Sequence, residues 1–235
     1  MEILTVFHTR GGAGTSTMVM NLGATLSRRG KRILVVDGNR NCGLSLNLGF
    51  RKPTAPVVEP WVPQPTRVPG LELVRPSSEQ LDLFDSVTPA RLQDQLDTFH
   101  GYDACIIDVP SYCLGIGEAA LAVANTVLIP SYPDARVDWA VSSTLKQIDQ
   151  ARQQCPGAAT RIIGVTTRFE SGRYEIQFHA TACQQWAFWL PTPIRDHHRV
   201  NQEAWTHSLP AVSVGGPRSR AFVDHLTLAQ ALGYA

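Results

Sequence analysis

Lysine is nearly missing from this chain. Of 21 basic residues in 235, only Lys31, Lys52 and Lys146 are lysines, and the other 18 are arginines. The basic residues are balanced by 20 acidic ones for a formal net charge of +1. Such a balance provides no strong field to coat nucleic acid. The five cysteines are odd in number, scattered and without a C-x-x-C pair. That pattern excludes a disulfide framework and a zinc site and points to a reducing cytoplasm. No apolar run approaches the ~20 residues of a spanning helix. Met1 leads directly into an apolar strand without a basic segment and long apolar core, so no signal peptide is expected. There is no internal repeat, and the length suits a single α/β domain over 1–235.

What is present is an alternation of strands and helices. Ile3 to Thr9 is a short β-branched run, and Thr17 to Arg29 carries apolar residues at helical spacing with Gly30 as a C-terminal stop. Ile33 to Val36 is continuously apolar and ends in Asp37, as expected of a parallel strand buried on both faces. Six prolines between Pro53 and Pro69 exclude a helix and predict an extended loop at about 51–70. Thr88-Pro89 starts a helix running to about Phe99. Ala104 to Ile107 is a second buried strand, ending in Asp108, and Thr126 to Ile129 and Arg161 to Val165 are further strands around a helix from Asp138 to Gln153. A final helix over Arg218 to Leu232 should bury Phe222, Val223, Leu226 and Ala229. The predicted fold is one doubly wound, mainly parallel sheet flanked by helices, with its site at the C-terminal strand edge.

Three fragments converge there. Arg10-Gly11-Gly12-Ala13-Gly14-Thr15-Ser16-Thr17 has the shape of a phosphate loop, G-x-x-x-x-G-K-[ST], but Thr15 stands where the lysine belongs. Its glycines let backbone N–H groups wrap phosphates, and Ser16 is placed to ligate Mg²⁺. Asp37 is the second fragment, able to order metal-bound water or a catalytic water; the alternative is an aspartate capping a turn. Asp108 is the third, presented as a metal-site carboxylate is in P-loop proteins. Ser16, Asp37 and Asp108 are the candidate metal-site residues, and Asp37 is the one candidate for catalysis.

Arg10 to Thr17, Val35 to Gly43 and Ile106 to Pro110 resemble the deviant Walker-A ATPases of the ParA/MinD family. Asn125 to Pro130, Pro193-Ile194-Arg195 and Gln202-Glu203-Ala204 extend the resemblance over nearly the whole chain. It implies ATP or ADP with Mg²⁺ as cofactors and a homodimer that sandwiches nucleotide, Arg10 taking the place of a lysine that reaches across. It also puts Thr167, Arg168 and Pro193 beside the base. Two departures stand out. Thr15 replaces the P-loop lysine, and Asn39 replaces the second aspartate of the family's D-x-D, so binding should outlast hydrolysis. The R-G-G-x-G-T-[ST]-T form is most similar to two side branches, the cellulose-secretion accessory BcsQ and the pilus-assembly CpaE/TadZ group. The latter usually carries an N-terminal receiver-like domain, which favours a BcsQ-like or orphan ParA-like reading. That reading is a cytoplasmic organiser, recruited by a protein partner of a cell-envelope machine. The alternatives are a partition ATPase that binds DNA non-specifically and a nucleotide-free scaffold.

Elsewhere, His197-His198 beside Asp196 and Arg199 is read as a polar surface turn, since adjacent histidines splay apart. Trp186, Phe188 and Trp189 are read as core packing. Trp61 is either a contact anchor or a packed residue. Arg218 and Arg220, near Asp224, are read as a solvated helix start.

Overall fold

The structure is a computed structural model that describes residues 1–51, 61–75, 86–112, 114–134, 136–155 and 161–234. Seven strands form one sheet: β1 (Glu2–Val6), β2 (Ile33–Asp37), β3 (Gln64–Pro65), β4 (Leu71–Val74), β5 (Ala104–Asp108), β6 (Thr126–Ser131) and β7 (Arg161–Thr166). Their order across the sheet is β3-β4-β2-β5-β1-β6-β7, parallel throughout except for β3 against β4. Nine helices accompany them among the described residues: α1 (Thr15–Arg28), α2 (Gly43–Asn47), α3 (Pro89–Asp97), α4 (Ile116–Val123), α5 (Val137–Arg152), α6 (Arg173–Gln185), α7 (His198–His207), α8 (Ala211–Val214) and α9 (Arg220–Ala231).

Strict alternation along the central strands explains why both sheet faces are covered. Leu4, Val6, Ile33, Val35 and Ile106 enter one core with α1 and α9. Their neighbours Ile3, Phe7, Leu34, Val36 and Ile107 enter the other with α3 and α4. The parallel register sets Val6 and Asp37 on either side of Asp108. Two carboxylates and the start of the glycine loop therefore meet at one point on the C-terminal edge.

Helix starts follow the local chemistry. Thr88 Oγ1 accepts from Arg91 N with Pro89 in the first turn, and Ser219 Oγ accepts from Phe222 N. The predicted proline loop is corrected in part: Gln64–Pro65 is a short antiparallel edge strand, a place where a proline costs no ladder bond. Pro53, Pro56 and Pro60 lie outside the described residues. β4 escapes the sequence reading because Glu72 interrupts the apolar run of Leu71–Val74 and Pro69-Gly70 precedes it. The last helix is rotated from its predicted face. Phe222 and Ala229 are buried, but Val223 is 44% exposed, and the inner positions include Asp224 and His225.

Candidate functional site

The glycine loop runs from the end of β1 into α1. Gly12 (φ 80°) and Gly14 (φ 91°) both take left-handed backbone, which a side chain would resist. Gly14 is also the N-cap of α1 and gives it no side-chain cap, so the helix opens toward the loop with free N–H groups. Ser16 Oγ donates to Asp108 Oδ2 at 2.5 Å. Asp108 Oδ1 is buried without a hydrogen-bond partner. Burial foremost, and then the charge of Asp37, push the Asp108 carboxyl up to about 7; the Ser16 and Thr15 hydroxyls offset part of that rise. A carboxylate held out of water beside a hydroxyl and a helix N-terminus fits a hard divalent cation that keeps several waters and few protein ligands.

Asp37 is differently employed. It accepts from Ser45 Oγ (2.6 Å), Ser45 N (2.8 Å) and Asn39 N (3.2 Å). Burial raises its pKa and these bonds pull it down. Its oxygens thus hold the β2–α2 turn, the capping role weighed in the sequence. Asn39 Oδ1 accepts from Asn41 N at 3.0 Å and is likewise part of that turn.

Arg10 is held within its own chain. Its Nη1 lies 2.8 Å from Asp134 Oδ1, and its guanidinium carbon is 5.0 Å from the Tyr132 ring centroid. Arg168 approaches the same ring at 4.9 Å and donates from Nη2 to the Gly12 carbonyl at 3.0 Å. Ahead of Arg10, His8 Nδ1 accepts from Arg10 N at 3.0 Å. Burial, then the Arg10 charge, lowers the His8 pKa to about 4.

Beside the loop lies a cavity of about 380 Å³. Ala13, Gly14 and Thr17 form one wall, Thr167 and Arg168 another, and Ile194, Arg195 and His197 a third. Thr167 Oγ1 is buried without a partner. Pro193 is not among the lining residues; its successors Ile194 and Arg195 are. Gly11 is exposed at the loop's outer bend.

Ile194 and Arg195 of the third wall belong to the stretch that the family resemblance singles out, but the clasp that fixes them has no local mark in the sequence. Asp224, 6% exposed, accepts from Arg195 N (3.0 Å), Nε (3.1 Å) and Nη2 (2.5 Å), and lies 2.9 Å from His197 Nε2. Burial works to raise its pKa, but the His197 and Arg195 bonds win and hold it well below the carboxylate range. His197 is therefore no surface turn, with only 8% of its side chain exposed, while His198 is exposed at the start of α7. The partners are 27 and 29 residues apart in sequence, and no local period links them. The Trp186, Phe188 and Trp189 cluster is core packing as expected, and Trp61 packs partly buried against the second core.

An AAA-domain family model matches residues 1–59. The chromosome partitioning protein ParA of Caulobacter vibrioides is 27% identical over 150 residues, 55% of each chain. The chain thus spans about half the length of this curated relative. A ParA family protein of Chlamydia muridarum is 27% identical over 257 aligned positions, covering 99% of this chain and 97% of its own. The septum site-determining protein MinD of Pyrococcus horikoshii, solved with Mg-ADP, superposes with a TM-score of 0.77 at 20% identity, over 98% of this chain and 95% of that one. In sequence the chain is thus similar to ParA proteins, and it shares its fold with MinD.

Proposed function

We propose that this chain, as a single domain over 1–235, binds an adenine nucleotide with Mg²⁺ at the glycine loop. We further propose that it acts as a nucleotide-dependent homodimer that positions or assembles a cell-envelope machine, with slow or absent hydrolysis. The observation that carries the binding reading is the junction of Ser16 with Asp108, whose second oxygen is buried without a hydrogen-bond partner. Gly12 and Gly14 shape the phosphate cradle, Ser16 and Asp108 hold the metal, and Thr167 with the neighbouring cavity wall takes the base and ribose. Mg-ADP in the MinD relative supports the same pairing. The organiser role, in the manner of BcsQ, rests on the motif form with Thr15 and Asn39. It acts from the cytoplasm; no helix among the described residues is long and apolar enough to cross a membrane.

A second reading has one observation in its favour, the partitioning role named for the Caulobacter relative. It makes the chain a partition ATPase on DNA, with Arg218 and Arg220 as contacts. The near-neutral charge favours the first reading. The deciding experiment measures nucleotide content, Mg²⁺-dependent ATP affinity and oligomeric mass of the purified protein, with and without DNA. Bound nucleotide and an ATP-induced dimer that ignores DNA support the organiser. Absence of nucleotide affinity overturns it.

A further inference from the structure

The loop carries no lysine, and its Thr15 has no charge, so a phosphate bound there needs a cation from elsewhere. Arg10 is adjacent, but its Nη1 is turned to Asp134 Oδ1 at 2.8 Å. Arg168 is different. Among the described residues no carboxylate pairs with it; its partners are the Gly12 carbonyl and the Tyr132 ring. A guanidinium has five N–H donors and is always charged, so a single bond to Gly12 leaves most of the fork open.

The backbone aims this side chain deliberately. Thr167 N donates to Ser131 O at 2.8 Å, and Phe169 N donates to Ile194 O at 3.0 Å. Pinned on both sides, Arg168 takes φ 49°, the left-handed region that a bulky residue seldom adopts. That conformation sends its side chain across to a loop 156 residues earlier in sequence. Arg168 and Gly14 also line one cavity.

We propose that Arg168 supplies in cis the positive charge that Thr15 lacks, pairing with the β- or γ-phosphate of a nucleotide on the glycine loop. This rests on the nucleotide-binding reading above, and it moves Arg168 from the base, where the family resemblance put it, to the phosphates.

The test uses full-length protein with Mg²⁺ and fluorescent ATP, ADP, AMP and adenosine analogues. Five proteins are compared: wild type, Arg168→Gln, Arg168→Lys, Thr15→Lys and the double variant Arg168→Gln with Thr15→Lys, with circular dichroism melts to confirm folding. Arg168→Gln should weaken ATP and ADP by about tenfold or more and leave adenosine and AMP little changed. Thr15→Lys should restore most of that loss in the Arg168→Gln background and add little to wild type. Arg168→Lys, which keeps the charge, should retain part of the affinity. Equal losses for all four ligands would make Arg168 a base or ribose contact and overturn the proposal. So would ATP affinity unchanged in Arg168→Gln while wild type binds. Wild type that fails to bind any phosphorylated ligand overturns both this inference and the binding reading.

Discussion

Ser16 Oγ and Asp108 Oδ2 are joined by a 2.5 Å hydrogen bond that ties the first turn of α1 to the end of β5. The bond stabilises only one oxygen of a carboxylate whose burial and proximity to Asp37 disfavour its charge. Such a carboxylate is kept at a cost to the ligand-free fold, as expected where function sets the choice. Asp108→Asn should therefore raise the stability of the ligand-free protein by about 1–2 kcal/mol, a shift of several degrees in melting temperature. It should also abolish the extra stabilisation by MgATP over ATP alone. Ser16→Ala should lose the same Mg²⁺ increment without the gain in the ligand-free state. Differential scanning calorimetry with and without each ligand checks both, and a Mg²⁺ increment intact in both variants would refute the metal assignment.

The edge of the sheet carries a steric prediction. A Cβ built on Gly164 falls 2.1 Å from Trp189 Cε3. The two segments are also bridged by Gly164 N to Phe188 O (3.0 Å) and Leu190 N to Gly164 O (2.8 Å). Gly164→Ala must break this docking or displace the indole, which donates to Thr166 Oγ1 at 3.0 Å. We expect destabilisation of about 2–3 kcal/mol in urea denaturation. Trp189→Leu in the same chain should recover part of it. Full stability in Gly164→Ala alone would show that the segment after α6 packs elsewhere.

Two buried histidines give a pH dependence. His225, 4% exposed, has Nδ1 2.8 Å from Ala221 O, and it faces His197 and Asp224. Burial, chiefly, lowers its pKa from 6.5 to about 4, and His8 falls to about 4 as well. Between those values the unfolded chain holds protons that the folded chain lacks, so stability falls as pH drops from 6.5 toward 4. Asp108 acts in the opposite sense. Its raised pKa lends stability that is full below its unfolded value and is lost as pH rises through about 7. The histidine contribution is isolated by comparing slopes. His225→Asn should lose less stability than wild type between pH 7 and pH 4.5, by on the order of 2 kcal/mol. Identical slopes in urea titrations at each pH would mean that His225 is protonated in the fold.

The central strands, their order of appearance and the loop were legible because each carries a local signal. β2 and β5 are unbroken apolar runs ending in aspartate, and the glycines of the loop mark left-handed turns. Even the N-cap at Thr88 could be read from two residues. The clasp behind the third wall could not. Asp224 and His225 sit one turn from Arg220 on a helix whose polarity reads as solvent-facing, and only tertiary packing turns them inward. Arg168 carries no sequence mark of its reach to Gly12, because its direction comes from strained backbone held by Ser131 and Ile194. Asp37 was correctly placed, but which of its two roles it takes depends on Ser45, eight residues on.

Arg10 and Asp134 set a condition on dimerisation. If Arg10 crosses to a second subunit's nucleotide, it must first leave Asp134 and the Tyr132 ring. Both side chains of the ion pair are partly exposed, so it holds Arg10 only weakly. Asp134→Asn should therefore favour the ATP-bound dimer, tightening its dissociation constant about threefold to tenfold, and Arg10→Ala should leave a folded monomer. Sedimentation velocity with and without MgATP reads both. Equal dimer fractions in wild type, Asp134→Asn and Arg10→Ala would remove Arg10 from the interface.

The sharpest expectation concerns turnover. Thr15 takes away a charge that would stabilise the transferring phosphoryl group, and Asn39 takes away a carboxylate that would help orient water. The structure gives Asn39 a different employment, since its Oδ1 accepts from Asn41 N within the turn held by Asp37. A cation from Arg168 would restore affinity, which depends on ground-state charge. It lies on the Gly12 side of the loop, however, not at the Thr15 position, so transition-state stabilisation need not return with it. The wild-type protein should bind ATP and hydrolyse it very slowly. Asn39→Asp alone should change little, and Thr15→Lys with Asn39→Asp should give the larger rate, because such groups act as a unit. Single-turnover hydrolysis of radiolabelled ATP decides the matter. A wild-type rate already near 1 s⁻¹, at the order expected of a competent phosphoryl-transfer enzyme, would show that another residue performs the missing lysine's chemistry and that the loop is not impaired.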